Sequence, residues 1–220
     1  MLIKAKKHLG QNFLQDSNLL KKIVRYADLQ PGEPVLEIGP GTGNLTEHLA
    51  ATGARVLGLD SDPDVLAIAT ERFKHLPNVE LRQQNVMKME WKKVIEEFGA
   101  RGAERGTTIS VVANIPYYIT SPILEKLTEV KTQIRQAVIM MQREVGERIL
   151  AQPGTKAYGS LSVFLNYHFD IEKGFDVPRE CFFPVPKVDS VVLRFVPKKL
   201  DDPGVWPCTP TSTSDTEQML

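Results

Sequence analysis

Three short stretches of this chain carry residues whose types and spacing could do chemistry. The first runs Val35-Leu-Glu-Ile-Gly-Pro-Gly-Thr-Gly-Asn-Leu-Thr46. An apolar run holding one acid, Glu37, breaks into glycines at 39, 41 and 43, and helix-compatible residues follow from Leu45. That is strand, tight turn, helix, the shape of a nucleotide-binding crossover. Glycines there let backbone approach a ligand and adopt positive φ without a Cβ penalty. A dinucleotide fingerprint needs its third glycine at position 44, which is Asn44, so a nicotinamide dinucleotide fits badly. The second locus is Asp60, closing the run from Arg55 about 20 residues beyond the turn, where a carboxylate can accept both protons of a ribose diol. Asp62 and Asp64 follow, and Asp62-Pro63 reads as the cap of a helix over Val65 to Phe73. The third is Asn114-Ile-Pro-Tyr-Tyr118, directly after the buried-strand pattern Ile109–Ala113. Ligands of open α/β sheets sit at the carboxyl ends of strands, which sets Asn114 beside whatever Gly39–Gly43 holds. An amide acceptor, a carbonyl at a stiff proline and a flat ring can together grip an amino group and stack on its ring.

The elements that must position these residues follow from pattern. Asp16-Ser17 caps a helix with Leu19, Leu20, Ile23 and Val24 on one face. Val79–Arg82 is a short alternating strand before Gln83-Gln84-Asn85-Val86. A helix starts at Trp91, and Gly99, Gly102 and Gly106 mark a surface loop before the Ile109 strand. Ser121-Pro122 opens another helix, Ala137–Met141 is a buried strand, and Gln142-Arg-Glu144 leads a helix through Leu150. Leu161–Tyr167 and Phe169–Ile171 add sheet or helix–strand material before a last strand, Val191–Phe195.

Composition bounds the answer. The 220 residues suit one domain with a proper core, and 42% apolar with 25% charged residues is ordinary for a soluble globular protein. No run approaches the length of a membrane span and no signal peptide opens the chain, so a cytoplasmic protein is expected. Cys181 and Cys208 form neither a metal cluster nor a disulfide framework, and no metal is expected. Net charge is zero, from 27 basic and 27 acidic residues, but it is uneven. Residues 1–30 carry six basic and two acidic side chains, and 126–199 carry twelve and eight, while 200–220 carry four acids and no base. Two basic segments around a mildly acidic ligand half allow a polyanionic partner.

The acid-x-Gly-x-Gly-x-Gly run is similar to the first motif of S-adenosylmethionine methyltransferases. With Leu9-Gly-Gln-Asn-Phe-Leu14, Asn114-Ile-Pro-Tyr117, Gln142-Arg-Glu-Val145 and Phe182-Phe-Pro-Val-Pro-Lys-Val-Asp-Ser190 beside it, the chain from Lys6 to Lys199 resembles the rRNA adenine N6-dimethyltransferases, which modify two adjacent adenosines near the 3′ end of small-subunit rRNA. The resemblance implies an α/β, Rossmann-like class I fold with a mostly parallel seven-stranded sheet, a catalytic domain over 1–199, and S-adenosylmethionine as cofactor. It assigns Gln11 and Asn12, with Leu14, to the amino-acid end of the cofactor. Gly39, Gly41 and Gly43 lie beneath it, and Asp60 takes the ribose hydroxyls. Asn85 stands where the family usually has Asp reading the adenine amino group, with Val86 next to it, and a plain turn role for Asn85 stays open. Asn114 and the Pro116 carbonyl would hold the target amino group, and Tyr117 and Phe182 would stack on the extruded base. The partner implied is rRNA in an immature small subunit, met by a monomer away from any membrane.

The family continues past its last strand into a small helical domain. Residues 200–220, acidic and without apolar period, read instead as a disordered tail. Weak rRNA engagement with a shallow salt dependence is therefore expected. Two other readings stand: a resistance-type methyltransferase of large-subunit rRNA, which shares Asn-Ile-Pro-Tyr, and a SAM-binding ribosome-assembly factor that has lost catalysis.

Overall fold

The computed structural model describes Lys6, residues 11–100 and residues 108–199. The expected loop at Gly102 and Gly106, the expected disordered tail, and Cys208 lie outside the described residues, as do His8 to Gly10.

A two-residue strand, β1 (Phe13–Leu14), precedes helix α1 (Ser17–Ala27), whose first amides bond to the Asp16 carboxylate as its sequence promised. The main sheet then alternates with helices: β2 (Pro34–Ile38), α2 (Asn44–Ala50), β3 (Arg55–Asp60), α3 (Pro63–Phe73), β4 (Val79–Gln83), α4 (Trp91–Gly99), β5 (Ile109–Asn114), α5 (Thr120–Glu129) and β6 (Ile134–Gln142). After α6 (Arg143–Ile149) and α7 (Ser160–His168) come β7 (Phe169–Val177), a short β8 (Phe182–Phe183) and β9 (Ser190–Pro197). The seven-stranded sheet runs β4-β3-β2-β5-β6-β9-β7. Strands β2 to β6 are parallel, and β9 pairs antiparallel with both β6 and β7. This is the mostly parallel α/β sheet that the sequence implied.

Both faces of the sheet are covered, which is why its strands read as continuous apolar runs. Leu36 and Ile38 of β2 belong to one buried cluster with Trp91, Ile123 and Leu165, while Val35 belongs to the other with Leu20 and Leu49. Successive side chains of a strand point to opposite faces, so one pentapeptide anchors both halves of the core.

Three local expectations change. All but the last residue of β4 are half-buried rather than alternating, because this strand is a sheet edge with a neighbour on one side only. Gly99 does not open the loop but closes α4. The stretch 160–177 resolves into a full helix followed by a nine-residue strand.

Candidate active site

The strand order places the carboxyl ends of β2, β3 and β5 side by side, with β2 in the middle. Strand β2 delivers Glu37 and the glycine turn, β3 delivers Asp60, and β5 delivers Asn114. A cavity of about 200 Å³ opens there, with Gly39, Gly41, Asp60, Asn85 and Asn114 in its wall. It is the crevice outside the strand ends where open α/β sheets bind ligands.

The glycines have separate reasons. Gly39 and Gly41 have φ of 71° and 56°, in the left-handed region, and both line the cavity. A Cβ on Gly41 would lie 3.0 Å from the Phe13 ring, so the turn is pressed beneath β1. Gly43, expected under the cofactor, is not in the cavity wall. A Cβ there would come within 2.2 Å of the Phe73 ring, so this glycine exists to seat α3 against the turn. Its place in the motif is a packing requirement, which spacing alone does not distinguish from a binding one.

Asp60 is held by backbone. Its Oδ2 accepts from the Gly41 N–H at 3.0 Å and its Oδ1 from the Asp62 N–H at 2.9 Å. Burial pushes its carboxyl above the ordinary range, and these amide bonds oppose the rise. Glu37 is the deeper acid, 1% exposed, with Oε2 accepting a 2.6 Å bond from the Thr46 hydroxyl. Among the described residues of the cavity wall there are two carboxylates and no Lys, Arg or His.

The arm closes the cavity on its other side. Gln11 and Asn12 line it as expected, and so do Phe13 and Leu14. Gln11 also donates from Nε2 to Asp62 Oδ2 at 2.7 Å, and its Oε1 accepts from the Lys6 backbone N–H at 2.9 Å. Lys6 Nζ reaches Asp62 Oδ1 at 2.6 Å and Asp64 Oδ2 at 2.7 Å. Asp62 does cap α3, accepting from Asp64 N–H, but it is also the buried post to which the arm is tied. Burial pushes its carboxyl up, yet the bonds from Lys6 and Gln11 outweigh that and leave it below the ordinary range. Asn44 is the second tie, donating to the Leu14 carbonyl at 3.0 Å. Sequence reasoning used Asn44 only to exclude a dinucleotide. A polar side chain at the first position of α2, beside a turn, was the available signal.

At the other end, Asn114 Nδ2 donates to the Asn12 carbonyl at 3.3 Å. That bond orients the amide and leaves its oxygen as the accepting end. A Cβ on Gly39 would stand 3.8 Å from the Asn114 carbonyl, so the two motifs are in direct contact range. Pro116 lines the cavity, and its carbonyl accepts from the Ile119 N–H at 3.1 Å within a short 3₁₀ turn, Tyr117–Ile119. The carbonyl's second lone pair is the one left for a ligand. The Tyr117 side chain lies outside the described residues, while Tyr118 lines the cavity and is 60% exposed. Asn85 both lines the cavity and folds back, accepting from the Met87 N–H at 2.9 Å, and Val86 packs beneath it, 7% exposed. Phe182 stands elsewhere than expected. Paired with Leu14 through β1 and β8, it is 3% exposed, in the same buried cluster as Leu14, and not in the cavity wall. The ring left open on that loop is Phe183, 53% exposed.

Comparison with known proteins identifies the family. The family model described as ribosomal RNA adenine dimethylase matches residues 2–206. The chain belongs to this family. It is 45% identical over 199 residues to the ribosomal RNA small subunit methyltransferase A of Thermotoga maritima, covering 90% of this chain and 66% of that one. The protein of the same name from Bacillus cytotoxicus is 46% identical over 191 residues, 87% of this chain and 64% of its own. This chain therefore spans about two thirds of the length of such relatives. Among solved structures, a dimethyladenosine transferase from Plasmodium falciparum superposes with a TM-score of 0.72 at 32% identity, over 84% of this chain and 63% of that one. The 23S rRNA methyltransferase ErmE gives 0.71 at 31%, over 85% and 70%. Fold alone does not separate these two. The small-subunit names come with the higher sequence identity.

Proposed function

We propose that this member of the family transfers methyl groups from S-adenosylmethionine to N6 of adenosines in rRNA, at two adjacent adenosines near the 3′ end of the small subunit. The observation that carries the reading is Asn114. It stands at the carboxyl end of β5, oriented by the arm, within contact range of a glycine turn that shares its cavity with Asp60.

The residues present fit the cofactor. Its adenosine offers a ribose diol to Asp60, whose carboxylate lines the cavity. Its sulfonium gives the cofactor a net positive charge, which suits a wall with two carboxylates and no cationic side chain among the described residues. A pyrophosphate-bearing dinucleotide would meet those same acids. When bound, S-adenosylmethionine supplies an electrophilic methyl group.

The chain's own work is at the acceptor. An adenine amino group is a poor nucleophile because its lone pair is delocalised into the ring. The Asn114 amide oxygen accepts one amino proton and the Pro116 carbonyl the other, which favours a pyramidal nitrogen and frees the lone pair. Fixing that nitrogen at attack distance supplies much of the remaining acceleration. A base that reacts here must leave its stack, and Tyr117 and the exposed Tyr118 are the rings offered to offset that cost. The proton departs after transfer, so no His, Lys or Glu base is required. The protein acts as a cytoplasmic monomer on an immature subunit.

Labelled S-adenosylmethionine, incubated with this chain and immature small subunits, should place label on dimethyladenosine mapping to small-subunit rRNA. Label only in large-subunit rRNA would favour the ErmE-like reading. Cofactor binding with no label in either rRNA would favour an assembly factor.

A further inference from the structure

Two acids and no cation among the described wall residues make this cavity electrostatically one-sided, and Glu37 is the more buried of the two acids. Among the described residues, every element around it is neutral or acidic at the contact. Its pairing neighbours in the sheet are Gly58 and Val112, α2 presents the Thr46 hydroxyl, and β3 presents Asp60. The remaining polar wall includes Asn12, Asn44 and Asn114, and α1 adds Leu20 and Ile23. Lys6, the arm's described cation, is bonded to Asp62 and Asp64 instead. Burial pushes the Glu37 carboxyl up to about 8, with the Thr46 bond opposing the rise and the Asp60 charge adding to it. A buried carboxyl without a cationic partner stays protonated, and a cation entering its cavity favours the ionised form.

We infer that Glu37 makes this site selective for the methyl-bearing, cationic form of the cofactor over its spent thioether. The carboxyl holds a proton before the cofactor enters and releases it to bulk water as the sulfonium arrives. When transfer leaves a neutral thioether, the carboxyl takes a proton back from water. The spent form is a zwitterion with no net charge, so it gives Glu37 less reason to ionise. Loading thus expels about one proton, and turnover restores it. The inference rests on S-adenosylmethionine being the cofactor.

Calorimetric titration of the full chain with S-adenosylmethionine and S-adenosylhomocysteine, in buffers of different ionisation enthalpy near neutral pH, counts the protons. The expected result is close to one proton released per S-adenosylmethionine and clearly fewer per S-adenosylhomocysteine. Affinity for the former should tighten by up to tenfold per pH unit as pH rises toward about 8 and level off above it, one pKa unit being a factor of ten. Glu37→Gln should abolish the release, flatten the pH profile and narrow the preference between the two forms. Thr46→Val keeps the acid but removes a bond that favours its ionised form, so its pH profile should extend to higher pH. Equal proton release in Glu37→Gln and wild type, or with both ligands, overturns the role of Glu37. Tight binding without proton release sinks that role alone, whereas no binding of S-adenosylmethionine would sink the cofactor reading and this inference with it.

Discussion

The two ends of the cavity are built differently. The end proposed for the cofactor is made of backbone turns and buried acids: Gly39, Gly41, Asp60 tied to two amides, and Glu37 at 1% exposure. The end proposed for the acceptor is more open: Asn114 lines it, and so does Tyr118, which is 60% exposed. At the first end, sheet register fixes each of these groups before a ligand arrives. At the second end, one oriented amide stands beside the exposed Tyr118. That is the arrangement expected where an RNA base must bring the missing contacts.

The largest break between the two ends should come from Asn114→Ala. Removing a preorganised acceptor costs about 3 kcal/mol of transition-state stabilisation, a fall of roughly a hundredfold or more in kcat. Its affinity for S-adenosylmethionine should stay within a few-fold, measured by calorimetry. Near-normal turnover would reduce Asn114 to a structural tie for the arm.

Gly41→Val should do the reverse, weakening the cofactor end. A left-handed φ costs a non-glycine residue about 1–2 kcal/mol, and the added carbon meets the Phe13 ring. Cofactor affinity should drop about tenfold or more. A crystal structure of the variant should show β1 displaced, and an undisturbed arm with normal affinity would contradict the packing described.

Glu37→Gln tests the buried acid through stability. The folded carboxyl, at about 8, lies above its ordinary 4.5, so the unfolded chain loses this proton first as pH rises. Wild-type stability from this group is full below about 4.5, falls by about 1.4 kcal/mol per pH unit up to about 8, and is flat above. The variant should lack that slope in denaturant melts of the cofactor-free protein. Parallel pH profiles would mean that Glu37 is already ionised in the folded state.

The smallest effect is expected at the arm. Asp62→Ala loses a helix cap worth about 1 kcal/mol together with both arm bonds. The melting temperature should fall by a few degrees and KM for the cofactor should rise several-fold, with kcat little changed. Loss of kcat alone would place Asp62 in the chemistry instead.

Much of this was legible because local pattern and fold agree. Glycines after an apolar strand, a carboxylate at the next strand end and Asn-Ile-Pro-Tyr after another each fix a strand terminus. In a parallel sheet, strand termini converge. The α1 and α3 caps were readable for the same reason, as a short acceptor side chain stands before each helix.

What the amino-acid order determined, then, is which groups stand at the strand ends and that they share a crevice. Only the tertiary structure decided how neighbours divide that work. Gly43 serves Phe73 rather than a ligand, Phe182 fills the core while Phe183 faces solvent, and Asp62 anchors an arm more than fifty residues away. Each depends on a partner brought near by folding, whose distance along the chain leaves no mark in local spacing. Glu37 shows the same division: its type and place were plain in the sequence, but its charge state is set by burial among uncharged groups and a second acid.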